Sequence, residues 1–327
     1  MCVCVCGRCS SICFILPRLP TPHPICSSQH SIGSLLHTHK KKLLTIKGIS
    51  EAKADKMLLL AQKASSCANT FRNAAEVETE RAQAVFKITT GSKELDSLLG
   101  GGIESQSLTE VYGEFRCGKS QLCHMLAVTT QGKIEDGGAL GSVIVIDTEG
   151  AWRGERVKQI ATTRFGLSGD EVLSNVRVAT CYTNDGLGHV CNEAAALCAD
   201  PSLCVKLLIV DSIMALARVQ YQGRGELADR QCALGRILKQ LKMLAVEFNI
   251  AVLVTNQVMS SPDSGGMVGP PIAKACGGHV LAHAVTTRIQ FKKGRGAQRK
   301  CKLHDSPTLA EAECEFFITD GGLADEE

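Results

Sequence analysis

The chain has 327 residues, with 36 basic against 33 acidic side chains and a formal net charge of +3. Apolar residues make up 44%, charged residues 21% and aromatics 4%; these values exclude a disordered acidic tail and a fibrous or collagen-like chain, and leave room for one large domain plus a small one. No run of about 18 apolar residues occurs, so no membrane partner is expected, and so small a net charge means that a nucleic-acid partner must be judged from where the basic groups cluster.

Seventeen cysteines suggest a disulfide framework, yet the chain is far longer than the small secreted domains that need one. Cys2, Cys4, Cys6, Cys9, Cys13 and Cys26 crowd the start, and the rest are scattered through apolar contexts such as "LCVKLLIVD", where a reduced thiol packs as a small hydrophobe. A reducing compartment is expected. Residues 1–30 lack the positive n-region of a secretory signal, and prolines interrupt their apolar part. Their Cys-x-Cys-x-Cys pattern has no paired Cys-x2-Cys knuckle, which argues against zinc, so the segment is expected to be a disordered extension or a mis-assigned start.

Residues 31–68 turn helical: "LLHTHKKKLL", then "IKGIS", then "EAKADKMLLLAQKA", with Ser50 as N-cap and Glu51 in the first turn. Two helices joined at Gly48-Ile49 suggest a helix-hairpin-helix-like unit, with Lys40, Lys41, Lys42 and Lys47 beside a turn that a phosphate could approach. A helix pair that only packs on the next domain is the competing reading. Polar residues 69–84 read as a linker.

From Phe86 onward the runs "SLTEVYG", "GSVIVIDTEG", "VKLLIVDS", "IAVLVTNQ" and "TTRIQFKKG" alternate with helical stretches. Val- and Ile-rich runs without polar alternation fit strands buried on both faces, hence a parallel sheet covered by helices: an α/β nucleotide-binding core over 85–327.

Gly113-Glu114-Phe115-Arg116-Cys117-Gly118-Lys119-Ser120 matches G-x-x-x-x-G-K-[ST] between a strand and a helix. In such a loop main-chain N–H groups wrap phosphates, Lys119 reaches the terminal ones, and the Ser120 hydroxyl holds Mg2+. Asp211, ending "LLIVD", suits the second Mg2+ ligand. Glu149, ending "VIVIDTEG", is the candidate for activating water, with a solvated loop carboxylate as the alternative. Gln257, ending "LVTNQ", is placed to feel a γ-phosphate, although such residues often serve only as caps. Arg288, Lys292, Lys293, Arg295, Arg299, Lys300 and Lys302 follow one another with no acidic residue between them, a strip suited to a phosphate backbone.

Taken in order, "GEFRCGKSQL", "VIDTEG", "LLIVDS", "GRGELADRQ", "LVTNQ" and "KGRG" closely resemble the eukaryotic RecA-family strand-exchange recombinases, over residues 31–327. "VFKITTGSKELDSLLGGGIES", "VDSIMAL" and "GGHVLAHA" look most like the meiosis-specific branch. The resemblance implies a RecA-like ATPase core that forms helical filaments on single-stranded DNA, pairs it with a homologous duplex and exchanges strands with ATP and Mg2+, in the nucleus and with recombination mediators as possible partners. It implies that Gly113 to Gln121 (Gly113, Glu114, Phe115, Arg116, Cys117, Gly118, Lys119, Ser120 and Gln121) line the nucleotide, that Glu149 activates water, and that Arg156 lies against adenine. Lys274 and Asp305 would contact nucleotide bound by a neighbouring subunit. Arg224 and Arg230 of a first disordered loop, and the second loop from Met259 to Gly278, would bind DNA, with Arg116, Lys292 and Lys302 as a second site for incoming duplex. Phe71 and Ala74 fit the family's Phe-x-x-Ala oligomerisation motif. Departures from the pattern are Ala151, Trp152 and Gly154 after "DTEG", Ala310 after "DSP", and Pro262 and Val268 in the second loop. A recombinase paralogue that binds nucleotide and assists filaments without exchanging strands is the alternative; the presence of both DNA loops and both halves of the ATP interface favours the exchanging enzyme.

Overall fold

A computed structural model describes Leu35 and residues 40–45, 48–64, 71–221, 223–260 and 273–326. They divide between two compact units, residues 1–84 with 192–201, and residues 85–191 with 202–327. The expectations for residues 1–30, for Lys47 and for the stretch 261–272, which includes Pro262 and Val268, fall outside the described residues.

In the first unit, α1 (Lys40–Leu44) and α2 (Glu51–Ala64) follow one another. Ser50 caps α2 by accepting the Lys53 N–H, and Leu35, Leu43, Ala54 and Ala61 form a small apolar cluster with Ile49, Met57 and Leu58 against it. Gly48 has the positive φ of +92° that a turn between helices demands. Lys40 does not stand free beside that turn, because its ammonium lies 3.0 Å from Glu51 and 2.7 Å from Asp55. The polar stretch after α2 is not all linker: α3 (Ala74–Ala84) is a helix that buries none of its residues. The Asn73 side chain caps it by accepting the Ala75 N–H at 3.0 Å, and Arg72 reaches Glu80. Phe71, just before it, is fully exposed.

The second unit is built on a nine-stranded sheet. A short antiparallel pair, β1 (Lys87–Ile88) and β2 (Ile103–Glu104), brackets α4 (Lys93–Leu98). Then come β3 (Leu108–Gly113), α5 (Lys119–Thr129), β4 (Ser142–Asp147), α6 (Gly154–Phe165), α7 (Gly169–Ser174), β5 (Val176–Thr180), α8 (Asn184–Ala199), of which residues 192–199 are counted with the first unit, and β6 (Val205–Asp211). After them follow α9 (Ala215–Gln220), α10 (Leu227–Glu247), β7 (Ala251–Asn256), the hairpin strands β8 (Val258–Ser260) and β9 (Ala273–Ala275), α11 (Gly278–Ala284), β10 (Thr287–Lys293), β11 (Gln298–Asp305), β12 (Glu313–Thr319) and β13 (Gly322–Ala324).

The sheet order is β13-β12-β11-β10-β3-β7-β6-β4-β5. Pairing is parallel from β10 through β3, β7, β6 and β4 to β5, and antiparallel from β10 outward. β3, β4, β6 and β7 are buried almost throughout, as their unbroken apolar runs require. One face packs Val111, Val145, Ile209 and Leu253 against Leu122, Met125 and Leu126 of α5 and Val157 and Ile160 of α6; α10, with buried Leu234, Leu238 and Leu241, packs on β3 and β7.

Within this sheet Glu110 of β3 is wholly buried. Asn256 of β7 donates to its Oε1 at 2.7 Å, and Arg288 Nε of β10 lies 2.7 Å from its Oε2. Arg288 also sits over the Tyr112 ring, 5.1 Å from its centroid. The first member of the expected basic strip is therefore an internal partner of the sheet.

Candidate nucleotide and DNA site

In an open parallel sheet the crevice lies outside the carboxyl ends of the strands. The residues after β3, β4, β6 and β7 gather there. The loop 114–118 joins β3 to α5 with Glu114, Phe115 and Arg116 exposed and Cys117 buried. A Cβ on Gly113 would stand 2.2 Å from the Phe291 carbonyl oxygen, and Gly118 has φ +105°, so both positions need glycine. The Lys119 ammonium donates to the Gly113 and Glu114 carbonyls, each at 2.9 Å. The Arg116 guanidinium lies over the Phe115 ring.

Asp211 ends β6 on the same side. Ser120 Oγ donates to its Oδ2 at 2.8 Å and Thr255 Oγ1 to its Oδ1. Burial pushes the Asp211 carboxyl above its ordinary value; those two donors lower it, and the nearby Glu149 and Asp147 raise it. Hydroxyl and carboxylate oxygens facing one another beside main-chain N–H groups at a helix start make a hard-oxygen donor set that fits Mg2+ with a polyphosphate.

Glu149 stands beside this cluster. Its Oε1 accepts from Ser212 Oγ at 2.5 Å and from Gln257 Nε2 at 2.6 Å, and Gln257 Oε1 in turn accepts from Arg218 Nη1 at 2.6 Å. Asp147 shapes the turn beneath it by accepting N–H groups from Glu149, Gly150, Ala151 and Trp152 at 2.8–3.2 Å. Thr148 ties that turn to Ser212 through its hydroxyl, 2.8 Å from both the Ser212 carbonyl oxygen and amide nitrogen. Arg156 of α6 donates to Gln121 Oε1 at 2.9 Å, to the Asp320 carbonyl at 2.9 Å and to the Thr319 carbonyl. It thus spans from α5 to the turn between β12 and β13.

The chain therefore brings Lys119, Ser120, Asp211, Glu149 and Gln257 to one sheet edge, with Gln121 and Arg156 on the flank. Lys274 on β9 and Asp305 at the end of β11 stand on other elements and are exposed. Thr255, Ser212, Asp147 and Arg218 complete the cluster without having been expected. The first three are polar residues at or just beyond the ends of apolar strands, the same signal that marked Asp211 and Gln257; nothing local marks Arg218.

Two expectations change. The first DNA loop is not irregular throughout: Arg224 opens a 3-10 turn, Arg224–Glu226, and Arg230 lies in the first turns of α10. Lys274 and Met259 of the second loop face one another in the β8–β9 ladder. The basic strip is also less positive than its sequence, because β12 and the residues just before it lay acidic groups beside it. Lys300 lies 2.6 Å from Glu315, and Lys302 lies 3.6 Å from Glu311 and 3.9 Å from Glu313. Lys292, Lys293 and Arg295 remain exposed.

Trp152 packs against His124 of α5 in a tilted ring contact, centroids 4.8 Å apart and planes at 50°, and His124 Nε2 accepts the Arg153 N–H at 3.2 Å. Burial first, and the cations Arg156 and Arg153 second, hold the imidazole down at about 4. A base whose folded pKa is depressed contributes stability that is present above its unfolded value near 6.5 and is lost as pH falls toward 4. His124→Asn should therefore flatten the stability–pH curve between those limits, by roughly 3 kcal/mol at most. Denaturant titrations of both proteins at a series of pH values check this; equal slopes would show that His124 is not the group titrating.

The expectation that Glu149 activates water has a direct test: Glu149→Gln retains the shape of the side chain but removes its basicity, so nucleotide hydrolysis should fall about a hundredfold or more while nucleotide affinity changes little. Turnover together with fluorescent-nucleotide titration tests it, and a collapse in affinity would make Glu149 a binding group instead.

The chain matches the Rad51 family over residues 81–326. It is 45% identical over 299 residues to the DNA repair protein RAD51 homolog A of Zea mays, covering 91% of this chain and 86% of that protein. Against the DNA repair protein RAD51 of Saccharomyces cerevisiae the identity is 46%, covering 91% and 73%, and against the DNA repair protein rhp51 of Schizosaccharomyces pombe it is 47%, covering 90% and 79%. A phosphate cradle on a RecA-like sheet, with likeness of this extent, places the chain in the Rad51 family.

Proposed function

We propose that this chain assembles on single-stranded DNA as an ATP-bound filament and exchanges strands with a homologous duplex. As a Rad51-family recombinase it is a DNA-dependent ATPase acting in homologous recombination and DNA repair. The observation that carries the mechanism is the convergence of Ser120, Asp211 and Thr255 with Glu149 and Gln257 at one strand edge.

ATP would lie along loop 113–121, and Ser120 and Asp211 would hold Mg2+, which would supply positive charge against the phosphates. Lys119, now on the Gly113 and Glu114 carbonyls, would turn to the terminal phosphates. Glu149 accepts the proton of the attacking water at its carboxylate. Ser212 and Gln257 orient that carboxylate, and Gln257 senses the γ-phosphate from the start of the second DNA loop. Arg156 flanks the adenine. Lys274 and Asp305, exposed away from this cluster, contact the neighbour's nucleotide.

Arg224 and Arg230 serve single-stranded DNA; the Arg230 Nε is a buried donor without a hydrogen-bond partner among the described residues. Arg116, Lys292 and Lys302 serve the duplex, with Lys302 weakened for that task by Glu311 and Glu313. Residues 31–68 act as a helix-hairpin-helix-like auxiliary domain, 69–84 as the connection bearing the subunit contact, and 85–327 as the ATPase core. "VDSIMAL" and "GGHVLAHA" support a meiotic role, and the family likeness supports the nucleus as the place of action and recombination mediators as partners.

The test is a joint-molecule assay with purified protein, ATP and homologous DNA. Wild type should form joint molecules, and Lys119→Ala should lose both hydrolysis and pairing, because no other side chain of the loop can neutralise the terminal phosphates. Hydrolysis without pairing in the wild type would instead support the filament-assisting paralogue.

Exposure of Phe71 ahead of the capped helix α3 leaves an aromatic side chain available to a second subunit, with Ala74 one turn further on. Phe71→Glu would place a charge in the neighbour's apolar pocket without a partner, so filaments should collapse to monomers or small rings by light scattering. Unchanged filament length would show that this segment does not join subunits.

A further inference from the structure

The candidate base is held by one of its two oxygens. Glu149 Oε1 accepts from both Ser212 Oγ and Gln257 Nε2, whereas Oε2 has no donor among the described residues and is the oxygen left to take a proton from water. Whatever fixes Oε1 therefore aims Oε2. The two donors are secured in different ways. Ser212 sits directly after β6; its N–H and its carbonyl both meet the Thr148 hydroxyl at 2.8 Å, and the next N–H, of Ile213, donates to the Thr255 carbonyl at 3.1 Å. Gln257 has an equally firm main chain, since its N–H donates to Asn256 Oδ1 at 2.8 Å and its carbonyl accepts the Cys276 N–H at 2.9 Å. That main chain still leaves the amide, at the end of a flexible side chain, to be oriented by what it touches.

An amide has a donor end and an acceptor end, and only the NH2 end can serve a carboxylate, which accepts. Arg218 takes the other end: its Nη1 donates to Gln257 Oε1 at 2.6 Å, while Gln257 Nε2 donates to Glu149 at 2.6 Å. A guanidinium only donates, so with Arg218 in place the amide has one admissible orientation, NH2 toward Glu149. The positive charge on Arg218 also strengthens its own contact and polarises the amide for the next one. Among the described residues the guanidinium hydrogen-bonds to Gln257 alone. Arg218 is exposed on α9, whose Leu216 and Ala217 are the buried members, so its side chain is not what packs that helix.

We propose that Arg218 is a positioning residue for hydrolysis, acting through Gln257 to orient the carboxylate of Glu149. This role rests on the reading of Glu149 as the base. Because Arg218 lies in the last turn of α9, ahead of Arg224, and Gln257 lies ahead of β8, the same bond joins the root of the first DNA loop to the root of the second. Without Arg218 the Gln257 amide has one contact instead of two, and the Glu149 carboxylate is free to turn about its remaining tie to Ser212. A misplacement of about 1 Å at a reacting group costs up to about a hundredfold in rate; with Ser212 still in place the loss should be smaller, about tenfold.

Arg218→Met keeps the length of the side chain and removes the donors. ATP hydrolysis is followed at saturating single-stranded DNA, so that a weaker DNA contact does not register in turnover, for the wild type, Arg218→Met, Gln257→Ala and the double variant. The expected result is a kcat about tenfold lower in Arg218→Met with KM for ATP unchanged, and no further fall when Arg218→Met is added to Gln257→Ala. A side chain that only supported the fold would lower turnover in both backgrounds alike. Independent losses that multiply in the double variant, unchanged turnover in Arg218→Met, or a raised KM with kcat retained would each overturn the proposal. Glu149→Gln is assayed beside them: hydrolysis lost there but retained in Arg218→Met removes the role of Arg218 alone, whereas hydrolysis retained in Glu149→Gln removes the base and the role of Arg218 with it.

Discussion

A carboxylate in the middle of the sheet sets the terms for everything at its edge. Glu110 is fully buried on β3, and an isolated charge there would cost several kcal/mol. Burial raises its pKa, whereas Arg288, followed by Asn256, acts to lower it. These partners come from the two strands that flank β3, so satisfying Glu110 requires β10, β3 and β7 to hold one register. Asn256 also donates to the Cys276 carbonyl at 2.8 Å, and its Oδ1 accepts the Gln257 N–H at 2.8 Å. The exit of the chain from β7 and its return toward α11 are thereby fastened to the same buried charge. The phosphate loop leaves from β3 and Gln257 from β7, so both inherit their positions from this contact.

Charge along the outer strands obeys a different logic. Residues two apart in a strand share a face, so Lys300 and Lys302 line up, and β12 sets Glu315 and Glu313 opposite them. Such exposed pairs add little stability, but they lower the local positive potential that a phosphate backbone would meet. The positive potential of this face then falls mainly to Lys292, Lys293 and Arg295 at the turn, where no described acidic partner is paired to them.

The large domain was readable because its signals are local and strong. Unbroken Val/Ile runs specify buried parallel strands, and the spacing from Gly113 to Ser120 specifies a strand, a phosphate loop and a helix. Asp211, Glu149 and Gln257 were found as polar residues terminating such runs. What escaped was pairing across the sheet. Arg288 reads as one more cation in a basic strip until Glu110, 178 residues earlier, is placed beside it, and the acidic row of β12 is invisible until the hairpins fold. The helix α3 was missed because it has no apolar face to give it a period; its Asn73 cap and the Arg72 to Glu80 pair are the signals that sequence inspection passed over. Trp152, one of the departures from the family pattern, has a structural use in covering the His124 ring.

The cluster of acids at the strand edge is itself an argument about what belongs there. Asp147 and Asp211 end the adjacent strands β4 and β6 as register partners, and Glu149 follows two residues after the first. Asp147 spends its oxygens on four backbone N–H groups and Glu149 on Ser212 and Gln257, whereas Asp211 has two hydroxyl donors and no cation among the described residues. Burial and the two neighbouring carboxylates all push it toward its neutral form. A divalent cation held by Ser120 and Asp211, as proposed, would reverse that balance by favouring the ionised carboxylate. Of the three acids, Asp211 is therefore the one whose ionised form has most to gain from a cation ligand.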